Sequence, residues 1–390
     1  MPRDPRPVSR RALLAAVPLL TAAAALVGCE SYKDAVAARR RYAARGQGDV
    51  VIGAVEQRYN PSGFADGMRM AAAEVNQAGG LLGRRISLLV TDDGGGLDGA
   101  ERNARALARD PSLFAVISCE SSATAIATSV TYQFNDVLCM EVSSTNPRLT
   151  AHPFDLIFRT IPNDIYNSKA IAAYMVGQGY KKTVVINDRS TYGHGLSSMI
   201  NRALYEQGGT VAAQRTYLPD PNTFWKDLDE IKGQDFDSVF LVGYPHGAAE
   251  FIKVLRTIGI TAPIVGGDSL DSPVVWKVAG AAANGLVVPT VFHRDIRDPR
   301  VEQFVQGFSS RYGVAPDTRA AKGYEALKLL ATVVAAVNLT DPKAIAAVMR
   351  YRKGWQGPFS DISFDNHGDV VGRKIYFQRL ENEEFTLVKE

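Results

Sequence analysis

From Asp49 onward, short β-branched runs alternate with helix-period stretches, and this alternation leaves few folds open. "VVIGAV" (50–55), "RISLLVTD" (85–92), "LFAVISC" (113–119) and "VLCMEV" (137–142) read as buried strands. Between them, "GFADGMRMAAAEVNQAGG" (63–80), "LDGAERNARALARD" (97–110) and "SATAIATSVTYQFN" (122–135) carry apolar residues at helical spacing. The first closes on Ala78-Gly79-Gly80, a glycine stop. Repeated β-α units require a parallel sheet covered by helices on both faces. The pattern restarts near Pro162, with strands at 182–188, 209–217, 237–243, 262–268 and 285–291 and helices at 164–178, 194–207, 223–232 and 246–258. Helices at 299–313, 318–337 and 341–350 then precede the turn-rich segment 357–380, which needs a sheet to pack on and is assigned mostly to the first lobe. The expectation is an α/β fold of two doubly wound parallel-sheet lobes, with the chain crossing between them near 162, 291 and 375. Lobe 1 is then 49–162 with 292–374, and lobe 2 is 163–291 with 375–390.

Upstream, Arg10 and Arg11 precede an uncharged run from Ala12 to Gly28 that contains Pro18. A membrane span wants about 20 strongly apolar residues. This run is shorter and weaker, so residues 1–28 read as an export signal, with an uncleaved anchor as the alternative. Its close, "LVGC", resembles the lipobox of bacterial lipoproteins, which implies a lipidated Cys29 as membrane anchor. "SRRALL" resembles a twin-arginine signal, and a general secretory signal fits as well. Each reading puts the rest of the chain outside the cytoplasm, with residues 29–48 as a lipidated cysteine and a solvated, partly helical tether, the alternative being that its four arginines favour anionic headgroups. Cys119 and Cys139 fall at levels about four residues apart on neighbouring strands, roughly 13 Å. That exceeds the roughly 7 Å a disulfide spans, so two free, buried thiols are expected.

The chain has 390 residues, 46% hydrophobic and 22% charged, which is ordinary for a globular protein and too long for a single core. The net charge of +3 comes from residues 1–48, and the remainder is mildly acidic. A nucleic-acid binder needs a basic excess on the fold itself, and none is present. The sequence has no G-x-S-x-G, no H-E-x-x-H and no phosphate loop, and its five histidines are far apart. "TDDGGG" (91–96) reads as Asp92 and Asp93 capping the next helix beside a glycine turn. An enzyme is disfavoured, and no cofactor or metal is expected.

In open α/β sheets, ligands sit beyond the carboxyl ends of the strands. After strand 113–119 come Glu120, Ser121 and Ser122, and after 137–142 come Ser143, Ser144 and Thr145. Hydroxyls beside free helix N-terminal N–H groups make a seat for a carboxylate. The second lobe supplies Tyr192 and Tyr244 as aromatic walls and Asp268 as a partner for an ammonium group.

With these residues and through "AAAEVNQAGGLLGRRISLLVTDDGG", "SSTNPRLT", "IFRTIPND", "YGHGL", "VGYPH", "GGDSL" and "GPFSDISFDNHGDVVG", the chain resembles the type I periplasmic binding proteins of the branched-chain (hydrophobic) amino acid ABC transporter family. The resemblance covers nearly all of 49–390. It implies a two-lobed Venus-flytrap receptor that closes on a ligand and hands it to a membrane permease. It also implies that Ser121/Ser122 and Thr145 hold α-carboxylate and ammonium groups, that the backbone of Ser143 contacts the ligand, that Tyr192 and Tyr244 are wall residues, and that Asp268 is the acidic ammonium partner. One loop departs from the family: where small Pro/Thr/Gly-rich residues are usual, this chain has "EQRYNPSG" (56–63). Glu56, Gln57, Arg58 and Tyr59 there either line the cleft mouth, favouring a polar or acidic ligand, or point to solvent. The expectation is a monomeric receptor of the periplasm or cell surface for a small zwitterionic metabolite, by default a branched-chain amino acid. The alternatives are a periplasmic sensor feeding a signalling partner and a receptor for an amide or an organic or aromatic acid.

Overall fold

The computed structural model describes residues 33–57, 62–218, 228 and 231–389. The export-signal segment, Cys29, Arg58, Tyr59 and most of the helix expected at 223–232 lie outside the described residues.

The first sheet holds β1 (Val50–Glu56), β2 (Ile86–Asp92), β3 (Leu113–Ser118), β4 (Leu138–Glu141) and β5 (Ile157–Arg159), in the order β2-β1-β3-β4-β5. All its pairings are parallel. Central β3 is buried at every position, which is why it reads as a continuous apolar run rather than an alternation. At three residues, β5 is too short to carry a periodic signal, and the sequence reading missed it.

The second sheet contains β6 (Lys182–Asp188), β7 (Thr210–Tyr217), β8 (Ser238–Val242), β9 (Ile264–Gly266) and β10 (Val287–Thr290). A small separate sheet follows, of β11 (Trp355–Gln356), β12 (Asp361–Phe364) and β13 (Val370–Val371). The hairpin β14 (Tyr376–Glu381) and β15 (Glu384–Leu387) then returns to the second sheet, antiparallel beside β10. The second sheet's order is β15-β14-β10-β9-β8-β6-β7.

The core divides with the sheets. Residues from Val50 to Phe158 pack together with residues from Phe292 to Val370, whereas residues from Ile171 to Val288 pack with Leu380. The chain therefore passes between lobes after β5, after β10 and between β13 and β14. Among the described residues, no single helix is long and apolar enough to cross a membrane.

The helices Phe64–Gln77 and Thr318–Val337 cross in backbone contact within the first lobe. A Cβ on Gly67 would lie 2.0 Å from the Ala320 carbonyl oxygen, and one on Gly323 would lie 2.7 Å from that of Phe64. Only glycine allows this approach, and it fixes the first turns of helix Thr318–Val337 against the lobe.

Three expectations change. Over 33–45 the segment read as a solvated, partly helical spacer is helical but not simply solvated, since its Arg39 is buried. The Arg39 guanidinium donates to the carbonyls of Leu113 (2.9 Å), Ala108 (2.5 Å), Asp110 (3.2 Å) and Asn135. Several of these carbonyls close helices and have no helical partner of their own. A basic run that reads as solvated is in this way docked by one arginine. Asp92 and Asp93 do not cap the next helix: they accept from the N–H groups of Gly94 and Gly95, two residues on, and Gly96 stands at the cap. Cys139 pairs with Val116, placing Cys119 three residues further along rather than four. Both thiols are free and buried.

Candidate ligand-binding cleft

The loops at the carboxyl ends of the strands meet between the lobes. After β3, Ser121 caps helix Ser122–Phe134, its Oγ accepting from the Thr124 N–H at 3.2 Å. The first-turn N–H groups of that helix have no intrahelical partner, which makes them available to an anion. After β4, the N–H groups of Ser143 and Ser144 both donate to Glu141 Oε1 at 2.9 Å, folding the loop back. The guanidinium of Arg159, fully buried, donates to the carbonyls of Ser144 (3.1 Å) and Asn146 (2.8 Å) and is itself held by Asp369 Oδ1 at 2.6 and 2.9 Å. Thr145 is thus fixed between two clamped neighbours, and its buried hydroxyl has no hydrogen-bond partner; the Ser144 hydroxyl is in the same condition.

The second lobe answers from across the cleft. Tyr192 donates its hydroxyl to Asp268 Oδ1 at 2.8 Å, and a Cβ on Gly267 would lie 2.2 Å from that hydroxyl. The rings of Tyr192 and Tyr244 stand 5.8 Å apart. Asp164 opens helix Asp164–Gly177 with its N–H on the Thr145 carbonyl at 2.8 Å. It is fully buried, and neither of its carboxylate oxygens has a partner. Hydrogen bonds that join the lobes include Asn146 Nδ2 to the Thr191 carbonyl (3.0 Å), Thr318 Oγ1 to Asp271 Oδ2 (2.7 Å), Asn163 Nδ2 to Asp369 Oδ2 (2.7 Å) and the Arg294–Glu384 pair (3.0 Å).

Ser121, Ser122, Ser143, Tyr192, Tyr244 and Asp268 line one cavity of ≈ 30 Å³. Thr145 and Asp268 line an adjoining one of ≈ 10 Å³ among the crossing segments. Such volumes suit a water or two rather than a metabolite, so the lobes stand nearly closed. Ser144 lines neither cavity and supports the loop from beneath. A wider cavity of ≈ 370 Å³ shares Asp271, Thr318 and Arg319 with the first and forms its mouth.

Gln57, on the loop that the sequence reading set at the cleft mouth or in solvent, lines the first cavity, as does Glu120, which that reading placed after strand 113–119 without a role; the reading missed Asp164, Asp271, Thr318, Arg319 and Lys322. Asp271, Thr318, Arg319 and Lys322 line the cleft from elements distant in sequence from the serine loops, and nothing local marks them. Burial pushes the Glu120 carboxyl up to about 7, against hydrogen bonds from Ser118 and Thr128. Burial and the charge of Glu120 push Glu141 up to about 8. Burial, with the charge of Asp268, pushes Asp164 up to about 7. Asp268 is also raised by burial, with the positive charge of Lys322 opposing. Chemically, this arrangement offers anion-ready N–H groups on one wall and under-satisfied carboxylates on the other. Among the described residues, no cluster of metal-ligating side chains is found.

A family profile described as periplasmic binding protein matches residues 56–384. The chain is 24% identical to a Leu/Ile/Val-binding protein homolog of Brucella melitensis, over 86% of this chain and 92% of the relative. It is 26% identical to a leucine-, isoleucine-, valine-, threonine- and alanine-binding protein of Pseudomonas aeruginosa, over 78% and 81% of the two chains. Among solved structures, an ABC transporter substrate-binding protein from Desulfitobacterium hafniense in complex with Leu superposes with a TM-score of 0.79 at 28% identity, covering 87% of this chain and all of that one.

Proposed function

The chain belongs to the periplasmic binding protein family, extracytoplasmic solute receptors, and from that premise we propose that it captures an amino acid between its lobes and delivers it to an ABC permease. One observation carries the reading: Thr145 and Asp268 line one cavity where two lobes meet, and the buried Asp164 carboxylate behind them has only the Thr145 hydroxyl and the charge of Arg159 to favour its ionised form. Buried polar groups left unpaired are costly, and a zwitterion supplies what they lack. Its carboxylate sits on the Ser121/Ser122 helix start, and its ammonium on Thr145, Asp164 and Asp268. The relatives' names, which include leucine, isoleucine and valine, support an amino-acid ligand. The lobe boundaries we propose are those near 162, 291 and 375. The protein binds and releases without converting its ligand.

Residues 1–28 then direct export, and Cys29 carries the lipid anchor, four residues before the docked helix at 33–45. Replacing Cys29 by Ala is expected to release the protein from the membrane fraction; retention there contradicts the anchor.

The test of the site is a thermal-shift panel of l-amino acids on the purified chain, since a ligand that binds only the folded state raises the melting temperature. Thr145→Ala and Asp268→Ala are expected to weaken the active ligand at least tenfold. Unchanged affinity in both variants sinks the assignment.

A further inference from the structure

The cleft is poor in the groups that a leucine side chain needs. Ligand pockets normally surround the apolar part of a ligand with hydrocarbon. Among the described residues lining the ≈ 30 Å³ cavity, the only apolar surfaces are the rings of Tyr192 and Tyr244. The nearby aliphatic side chains, Ile161, Val291 and Ile375, stand on the three crossing segments of the hinge and line the ≈ 10 Å³ cavity instead.

What the cleft holds in their place is charge of both signs: the carboxylates Glu120, Asp268 and Asp271 and the cations Arg319 and Lys322. Arg319 and Lys322 come from the first turns of helix Thr318–Val337, and both line the cavity. Lys322 lines both cavities, so it stands where the serine wall, Asp268 and the hinge converge. It is partly buried, and among the described residues its ammonium makes no hydrogen bond or ion pair, not even with Asp268, whose charge it feels. The Gly67/Gly323 crossing holds the backbone beneath it. A half-buried ammonium without a partner, pinned on a rigid helix at the centre of a cleft, is a receptor for an anion.

We infer that the ligand is an acidic amino acid, whose side-chain carboxylate pairs with Lys322. The inference rests on the zwitterion seat proposed above, which leaves this ammonium to the ligand's third charged group. Tyr192 and Tyr244 then cover the short methylene stem.

Calorimetric titration of the purified chain with l-glutamate, l-aspartate, l-leucine and glutarate tests this, using the wild type and the Lys322→Met and Lys322→Arg variants. An acidic amino acid is expected to bind at least tenfold more tightly than leucine. Lys322→Met should remove that preference while leucine binding holds or improves, and Lys322→Arg should retain most of it. Melting curves of each variant establish that it is folded. Leucine binding more tightly than either acid, or a preference untouched in a folded Lys322→Met variant, overturns the inference and leaves the amino-acid site standing. Glutarate binding as tightly as glutamate overturns the ammonium seat while retaining the role of Lys322. Binding of none of the four overturns the acidic-ligand inference, and silence across the wider amino-acid panel overturns the site with it.

Discussion

Asp164 is fully buried with both oxygens unpartnered, so with the cleft empty its carboxyl stays neutral up to about pH 7. A ligand ammonium favours the ionised form. Affinity for the amino acid should therefore rise as pH climbs through about 7, with protons released on binding, and Asp164→Asn should flatten that dependence. Calorimetry in buffers of different ionisation enthalpy measures both, and an affinity flat between pH 5.5 and 8 contradicts the role. Glu120 and Glu141 act on stability instead. The folded chain keeps their protons up to about 7 and about 8, whereas an unfolded carboxyl loses its own near 4.3. Their contribution is complete below that value and is lost as pH rises through 7 to 8. The melting temperature of the ligand-free protein should fall over that window, and Glu120→Gln with Glu141→Gln should flatten the fall. At this scale the place of Ser121, Ser122 and Asp268 on the cavity wall was legible in the sequence, because they closely follow strands whose apolar runs are unmistakable. The roles of Glu120 and Asp164 were not, since a single carboxylate in a charged chain becomes distinctive only when burial strips away its water.

Two buried arginines tie together segments far apart in sequence. Arg159, at the end of β5, ties the Thr145 loop to Asp369 near β13, linking two segments of one lobe that are far apart in sequence. Replacing it by Met strands Asp369 and frees the loop carbonyls; breaking a buried pair this way costs about 3–5 kcal/mol. Chemical denaturation should show that loss, and ligand affinity should drop with it. The helix at 33–45 depends in the same manner on Arg39, and Arg39→Ala should destabilise the fold by about 2 kcal/mol. A loss below 0.5 kcal/mol would mean that the helix is only resting on the lobe. Neither role could be read from sequence: β5, at three residues, does not complete a second period of its two-residue pattern, and an arginine among arginines does not announce that it caps other elements. Helices with long apolar stripes, such as Thr318–Val337, were read to the residue.

At the level of the whole molecule, the lobes stand nearly closed, with Asn146–Thr191 and Thr318–Asp271 as direct bridges and little space between. A ligand must part them to enter, and it stabilises closure only through contacts absent in the open state. Removing two of the bridges with Asn146→Ala and Thr318→Ala should shift the ligand-free protein toward a larger radius of gyration in solution scattering, with saturating ligand restoring the compact form. The two-lobe plan followed from the restart of the β-α pattern near Pro162, but the cations at the cleft centre did not. They arrive on a helix that returns to the first lobe after the whole second lobe has been built, so only the fold brings them to the serine loops.

The most direct measurement of the central claim is calorimetric titration of the purified chain with l-amino acids beside its Asp268→Ala variant. The account predicts one-to-one binding of at least one amino acid, weakened tenfold or more in the variant, or about 1.4 kcal/mol. Equal affinity in wild type and variant, or no amino acid bound by the wild type, would contradict it.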